Sequence, residues 1–368
     1  MLSGKSIITA ALVTTFASFT AGAFAQVPAG YPADYAKIVD GAKKEGKLVV
    51  YSTTDTKAAE PLLKDFNALY PGVKVEYNDM NSTEVYNRFI SEAAAGGNTA
   101  DVLWSSSMDL QIKLAADGYA MQYKSPEVAA IPNWAVMNNT AYGTTFEPAV
   151  FVYNTRLVPA NEVPATHADF AKLLTSKTDK YKDKVTTYDI EKSGVGFMFV
   201  TQDSHVDENG FWNLVKAFGA TGLRVQSSTG TMLERISSGE NLIGYNIIGS
   251  YALVRAKKDP NIGVVIPKDY TLVLSRVQFI NKTAKNPNAA KLWFDYLLSK
   301  RGQNVIANEA KLFAIRSDVT GEATSAALSK EIGKGLKPVP VNTSLLQYLD
   351  QTKRLAFLKK WKETMAKK

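Results

Sequence analysis

The chain has 368 residues, enough for two domains of ordinary size, and its 43 Lys and Arg against 35 Asp and Glu give a formal net charge of +8. It contains no cysteine, which excludes thiol catalysis, zinc–cysteine sites and iron–sulfur clusters. The positive excess is spread along the sequence. Its one local concentration, Lys359, Lys360, Lys362, Lys367 and Lys368, reads as a solvated helix face and not as a nucleic-acid arm.

The N-terminus carries a targeting pattern. Lys5 precedes an apolar stretch from Ile7 to Phe19 and then Ala23-Phe24-Ala25, which predicts a secretory signal cleaved after Ala25. About 13 apolar-to-small residues fall short of the ~20 that span a bilayer. A short helix follows, Tyr35 to Lys44, and "GKLVVYSTTD" predicts a buried strand from Leu48 to Ser52 running into a polar loop. Leu62, Leu63, Phe66 and Leu69 share one face of the next helix, which Pro71-Gly72 ends. "VKVEYND" alternates as a strand, Asn81 and Glu84 form a capping signature, and Val85, Phe89, Ile90 and Ala93 face inward on the helix beyond. "TADVLWSS" is a third apolar strand. Strand and helix alternating in this way predict a parallel sheet with crossover helices.

The second half repeats that grammar. Thr166 and Asp169 cap a helix bearing Phe170, Leu173 and Leu174, "VTTYD" is a short strand, and Phe211, Leu214, Val215 and Phe218 stripe another helix. After the short helix "TGTMLERISSGE" comes "GYNIIGSYAL", expected as one strand, then "NIGVVIPK" and "LVLSRVQFI". Two helices meeting at Ser299 and a last helix from Leu345 to Met365 complete the chain.

Hydroxyl-rich clusters end the apolar strands: Ser52-Thr53-Thr54-Asp55, Ser105-Ser106-Ser107, Thr144-Thr145-Phe146-Glu147, Tyr245-Asn246 and Ser275-Arg276. Ser193-Gly194 and Ser227-Ser228-Thr229-Gly230 precede helical segments. Any one such loop is an ordinary N-cap. Seven of them across both halves predict a shared polar cleft at the carboxyl ends of the strands, where helix N-termini converge.

"GKLVVYSTTD…LLKDFNALYPGVKVEY", "TADVLWSSSMDLQIKLAADGYAMQY", "YGTTFEPAVFVYNTRLV", "VPATHADFAKLL" and "INKTAKNPNAAKLWFDYLLSKRGQNVIA" together carry a resemblance. The chain resembles the periplasmic solute-binding proteins of ABC importers, most of all the ferric-iron-binding-like branch of the type II fold. The resemblance implies an α/β protein of two lobes, mixed sheets flanked by helices, joined by two crossing hinge strands that close on a solute. It places the first crossing at Glu147-Pro148 through Tyr153 and the second at Val264 to Tyr270. One lobe would then hold 26–147 and about 268–316, the other 148–267, with the helices of 317–368 on either. It further implies a periplasmic monomer without cofactor, delivering its solute to an inner-membrane permease. The ATPase must be a separate chain, since "AAAGGNTAD" lacks the G-K-[ST] ending of a phosphate-binding loop.

Iron-binding members of that branch carry adjacent tyrosines as hard oxygen ligands. Here the corresponding place reads Ser250-Tyr251-Ala252, and neither His167 nor His205 lies in the expected first lobe. Ferric iron is therefore the alternative, and a small organic anion (a sugar phosphate, phosphonate or carboxylate) the leading expectation. Its expected ligands are Ser52, Thr53, Thr54, Asp55, Ser105, Ser106, Ser107, Glu147, Ser193, Gly194, Ser228, Thr229, Tyr245, Asn246, Ser250, Tyr251 and Arg276. Two alternatives stay open. Arg276 either meets an anion or forms an inter-lobe ion pair, and Tyr245 and Tyr251 either stack on the solute or are core aromatics with satisfied hydroxyls. Asp55 and Glu147 favour a solute that also donates, such as an amino-phosphonate or phosphorylated sugar. Enzymatic signatures are missing: there is no G-x-S-x-G and no H-E-x-x-H, and only a carboxylate pair such as Asp55 and Glu147 is available for glycoside chemistry.

Overall fold

Gly46, at φ 66°, stops α1 (Tyr35–Glu45) in the left-handed conformation and turns the chain into β1 (Lys47–Ser52). The computed structural model describes residues 27–97 and 99–366, so the expected signal segment lies outside the described residues. From β1 the chain alternates through α2 (Thr56–Leu69), β2 (Lys74–Asp79), α3 (Ser82–Ala94), β3 (Val102–Ser105) and α4 (Met108–Ala116). The three strands are parallel with β1 in the middle, because each crossover helix buries one apolar stripe against them. Short antiparallel strands β4 (Val136–Met137) and β5 (Ala141–Gly143) extend the same sheet.

The second sheet begins at β6 (Glu147–Asn154). It continues through α5 (His167–Ser176), α6 (Thr178–Tyr181), β7 (Val185–Tyr188), α7 (Gly194–Val206), α8 (Glu208–Thr221) and β8 (Arg224–Gln226). Then come α9 (Thr229–Ser238), β9 (Ile243–Ile248), α10 (Gly249–Ala256), β10 (Ile262–Val265) and β11 (Thr271–Leu274). With β12 (Val277–Ile280) the chain is back in the first sheet, followed by α11 (Pro287–Leu298), α12 (Lys300–Val305) and α13 (Ser325–Ile332). Finally β13 (Leu336–Pro338) pairs with β11 in the second sheet, and α14 (Gln351–Ala366) closes the chain. Among the described residues the sheet orders are β2-β1-β3-β12-β5-β4 and β13-β11-β6-β9-β7-β8, with β10 also on β6. These are the two α/β lobes, mixed in strand direction and flanked by helices.

The crossings between lobes differ from expectation in one respect. The first runs from Gly143 to Glu147. The second lies at Ser275-Arg276, not at Val264 to Tyr270, because Ile262–Val265 is an antiparallel strand on β6 within the second sheet. Residues 268–274 accordingly belong with the second lobe. The two crossings run side by side: Leu274 registers with Glu147, and the Thr144 amide donates to the Arg276 carbonyl at 2.9 Å. The return to β13 adds a third passage that the expected pair of hinge strands did not include.

"GYNIIGSYAL" is not one strand. It breaks at Gly249, where an added Cβ would lie 2.7 Å from the Pro148 carbonyl oxygen, so the backbone turns there into α10. Ser250 and Tyr251 therefore project from a helix. Each lobe has its own aromatic centre: Trp104, Trp293, Phe66 and Phe89 in the first, and Phe151, Phe170, Phe218 and Tyr245 in the second. Phe357 and Trp361 fix α14 to the second lobe against Phe211, while Val341 and Leu345 just before it pack in the first.

Candidate functional site

The carboxyl ends of β1, β2 and β3 face those of β7, β8 and β9 across a cleft of about 400 Å³. Of the expected residues, Thr53, Asp55, Ser106, Ser193, Ser228, Thr229 and Tyr251 line it. It is lined also by residues that the sequence did not single out as ligands, among them Asp79, Asn81, Ser82, Glu84 and Tyr188. Asp79 ends β2 and accepts the Thr56 amide at 2.8 Å, and Asn81 caps α3 through the Glu84 amide at 2.9 Å. Both signals were present in the sequence as a strand end and a capping box, the same strand-to-helix placement as the serine loops.

Helix starts dominate this geometry. Asp55, Asn81, Ser193, Ser228 and Ile248 are the N-cap residues of α2, α3, α7, α9 and α10, and all five line the cleft. Ser106 adds the residue before the α4 cap. The positive ends of helix dipoles are therefore gathered at the cleft from both lobes. Several first-turn amides are already taken: Thr56 by Asp79, Glu84 by Asn81, Val195 by Ser82, Gly196 by Ser193 and Thr231 by Ser228. The lobes also touch. Among the described residues, the Asp55 amide donates to the Tyr251 hydroxyl at 3.1 Å, Thr83 Oγ1 to the Lys192 carbonyl at 2.7 Å, and the Val195 amide to Ser82 Oγ at 3.3 Å. Burial pushes the Tyr251 phenol up to about 12 against the pull of Arg276, and burial raises Tyr188 as well.

The remaining expected ligands hold the protein together. Ser52 Oγ donates to the Trp104 carbonyl at 2.9 Å and accepts the Thr54 amide at 3.0 Å. Ser105 Oγ accepts the Ser107 amide, and Ser107 Oγ donates to Asp109 at 2.9 Å. At Gly194 an added Cβ would lie 2.5 Å from Ser107 Oγ, so this glycine lets the start of α7 press against the first lobe. Tyr245 and Asn246 are turned away from the cleft. The phenol donates to Asp203 at 2.8 Å and the amide at 2.6 Å, while Tyr270 reaches the other oxygen at 3.1 Å. Asn246 takes φ 55°, a left-handed conformation that asparagine tolerates better than most residues.

Arg276 meets no cleft space either. It is fully buried at the crossing, with Nε 2.8 Å from Glu147 Oε1 and Nη2 3.1 Å from Oε2. Nη1 donates to Thr54 Oγ1 at 3.0 Å, and the guanidinium lies 5.2 Å from the centre of the Tyr251 ring. Glu147 is equally buried and takes further donors from Thr145, at 2.7 Å, and from Ser250. Burial works against the guanidinium charge, yet the Glu147 carboxylate overrides it and holds the arginine pKa up. The inter-lobe ion pair, left open by the sequence, is the arrangement found. Among the described residues no group of three or more His, Cys, Asp or Glu is placed to hold a metal ion.

Residues 61–332 match the model of the bacterial extracellular solute-binding protein family, and the chain belongs to that family of solute-binding proteins. The substrate-binding protein of an ABC transporter from Agrobacterium tumefaciens shares 40% identity and superposes with a TM-score of 0.83, covering 88% of this chain and 97% of that one. AfuA from Actinobacillus pleuropneumoniae, solved with exogenous fructose 6-phosphate bound, superposes at 0.71 with 21% identity over 88% of this chain and 99% of its own. Iron-bound HitA from Pseudomonas aeruginosa gives 0.66 with 16% identity over 86% and 99%. These last two show likeness of fold alone. No helix among the described residues is long and apolar enough to cross a membrane.

Proposed function

We propose that the chain is the periplasmic substrate-binding component of an ABC importer, capturing a small organic anion in the inter-lobe cleft. Sugar phosphates, phosphonates and carboxylates are the candidate solutes. Hinge closure encloses the solute, and the closed protein hands it to an inner-membrane permease driven by a separate ATPase. The carrying observation is the convergence of five N-cap residues on one cavity, a built arrangement for an anion that needs no lysine or arginine. A volume of about 400 Å³ lies in the range of small-molecule sites.

Ferric iron is the second reading, favoured by one observation: Tyr188 and Tyr251 both reach the cleft. Against it, burial raises both phenols and Tyr188 already shares a hydrogen bond with Thr229. Thermal unfolding of the mature protein with sugar phosphates, phosphonates, di- and tricarboxylates and ferric citrate separates the two. An organic anion at a hundred times its Kd adds about 2.7 kcal/mol of stability. A rise produced by iron alone, with phenolate colour, refutes the organic-anion reading.

A further inference from the structure

The two walls of the cleft carry different charge. The first lobe contributes three carboxylates, Asp55, Asp79 and Glu84, and the second contributes hydroxyls and helix starts at Ser193, Ser228 and Thr229. No lysine, arginine or histidine lines the cavity among the described residues. Among the described residues no basic side chain forms an ion pair with these acids, though Arg88 acts on Glu84 at a distance. Arg276 is the cation that acts on Asp55, and it is already paired with Glu147. Lys57, Lys257, Lys258 and Lys311 border an adjoining pocket that shares Asp55 and Tyr251 with the cleft, and none of them lines the cleft itself. No side chain among the described residues hydrogen-bonds to the Asp55 carboxylate, and burial raises its pKa against the pull of Arg276, with neighbouring Asp79 adding a smaller rise. Among the described residues the Asp79 carboxylate hydrogen-bonds only to the start of α2, through the Thr56 amide and hydroxyl.

Closing two lobes around these groups removes water from carboxylates that no lysine, arginine or histidine side chain pairs among the described residues. The α2 start offsets this only in part, so a cationic group on the solute is favoured. Neutral hydroxyls give hydrogen bonds without offsetting charge, and a purely anionic solute meets repulsion at this wall. We infer that the solute is a zwitterion, its ammonium group held by Asp55 and Asp79 of the first lobe and its anionic group by the α7 and α9 starts of the second. The inference rests on the anion reading of the cleft and narrows its substrate class. The site itself is the cavity already described, and the charge asymmetry of its walls selects the ligand. Asp79 is the specificity-determining residue in this scheme, because it combines the ammonium contact with a fixed position at the end of β2.

Matched probes test it by isothermal titration on the full mature chain in the presence of a chelator. 2-Aminoethylphosphonate is compared with ethylphosphonate, glucosamine 6-phosphate with glucose 6-phosphate, and ethanolamine serves as a cation without an anion. The expected result is that at least one amino probe binds about tenfold or more tightly than its amine-free partner. Asp79→Asn, which keeps an acceptor oxygen for the Thr56 amide, should abolish that preference. Asp55→Asn should reduce it. Equal or tighter binding of the amine-free partners overturns the inference and leaves the anion reading standing. Binding of ethanolamine alone, lost in Asp79→Asn, keeps the ammonium contact and overturns the anion reading. No binding by any amino probe, or binding that appears only when a divalent cation replaces the chelator, overturns the inference.

Discussion

Glu147→Gln removes one charge from the buried pair at the crossing and keeps the side-chain shape. Arg276 then remains fully buried, facing an amide in place of a carboxylate that accepted at 2.8 and 3.1 Å, and Thr145 and Ser250 lose a charged acceptor. Breaking one half of a buried ion pair costs about 3–5 kcal/mol, since the surviving charge has neither water nor partner. At roughly 2 °C per kcal/mol for a chain of this size, the melting temperature should fall by roughly 6–10 °C. Differential scanning calorimetry at pH 7 reads this directly. Replacing both partners, as Glu147→Met with Arg276→Met, should recover much of the loss because no charge is left stranded. A melting temperature within about 2 °C of wild type, or a double variant no more stable than Glu147→Gln, would refute the reasoning.

The two tyrosines once grouped as ligands should separate cleanly. Tyr251→Phe removes the acceptor for the Asp55 amide and should weaken the identified solute by about two- to tenfold, whereas Tyr245→Phe should leave affinity alone and lower stability by about 1–3 kcal/mol through Asp203. Gly194→Ala puts a Cβ 2.5 Å from Ser107 Oγ and should hold the lobes apart, so small-angle scattering should show no compaction on adding solute. Asp109 and Asp295 should add stability as pH falls from about 6 toward 4, opposed at the lower end by paired carboxylates such as Glu162, which its lysine partners hold low. Burial lifts Asp109 and Asp295 to about 6 from 3.8, so the folded chain takes up protons there before the unfolded one does. Urea titrations across that window should show the trend, and Asp109→Asn with Asp295→Asn should flatten it.

The alternation of strand and helix and the placement of hydroxyl loops at strand ends were readable because both are local patterns. Thr53, Ser106, Ser193, Ser228 and Thr229 reach the cleft for that reason: each follows a strand or opens a helix. What local pattern does not carry is the partner across the chain. Tyr245 and Asn246 looked like ligand groups until Asp203, 42 and 43 residues away, accounted for both. Arg276 stood open between an anion and an ion pair, and only Glu147, 129 residues away, decides for the pair. The break at Gly249 was invisible for a related reason, since it depends on the Pro148 carbonyl oxygen of the neighbouring strand. Asp79 was passed over because a charged residue at the exposed end of an alternating strand resembles any solvated one.

Native mass spectrometry of the protein, purified without dialysis from cells that express it, reads the occupant of the cleft. It should show a bound organic solute carrying an anionic group, displaced in Ser106→Tyr, where the larger side chain fills the cavity. An iron mass in its place, or a solute that stays bound in Ser106→Tyr, would contradict the account.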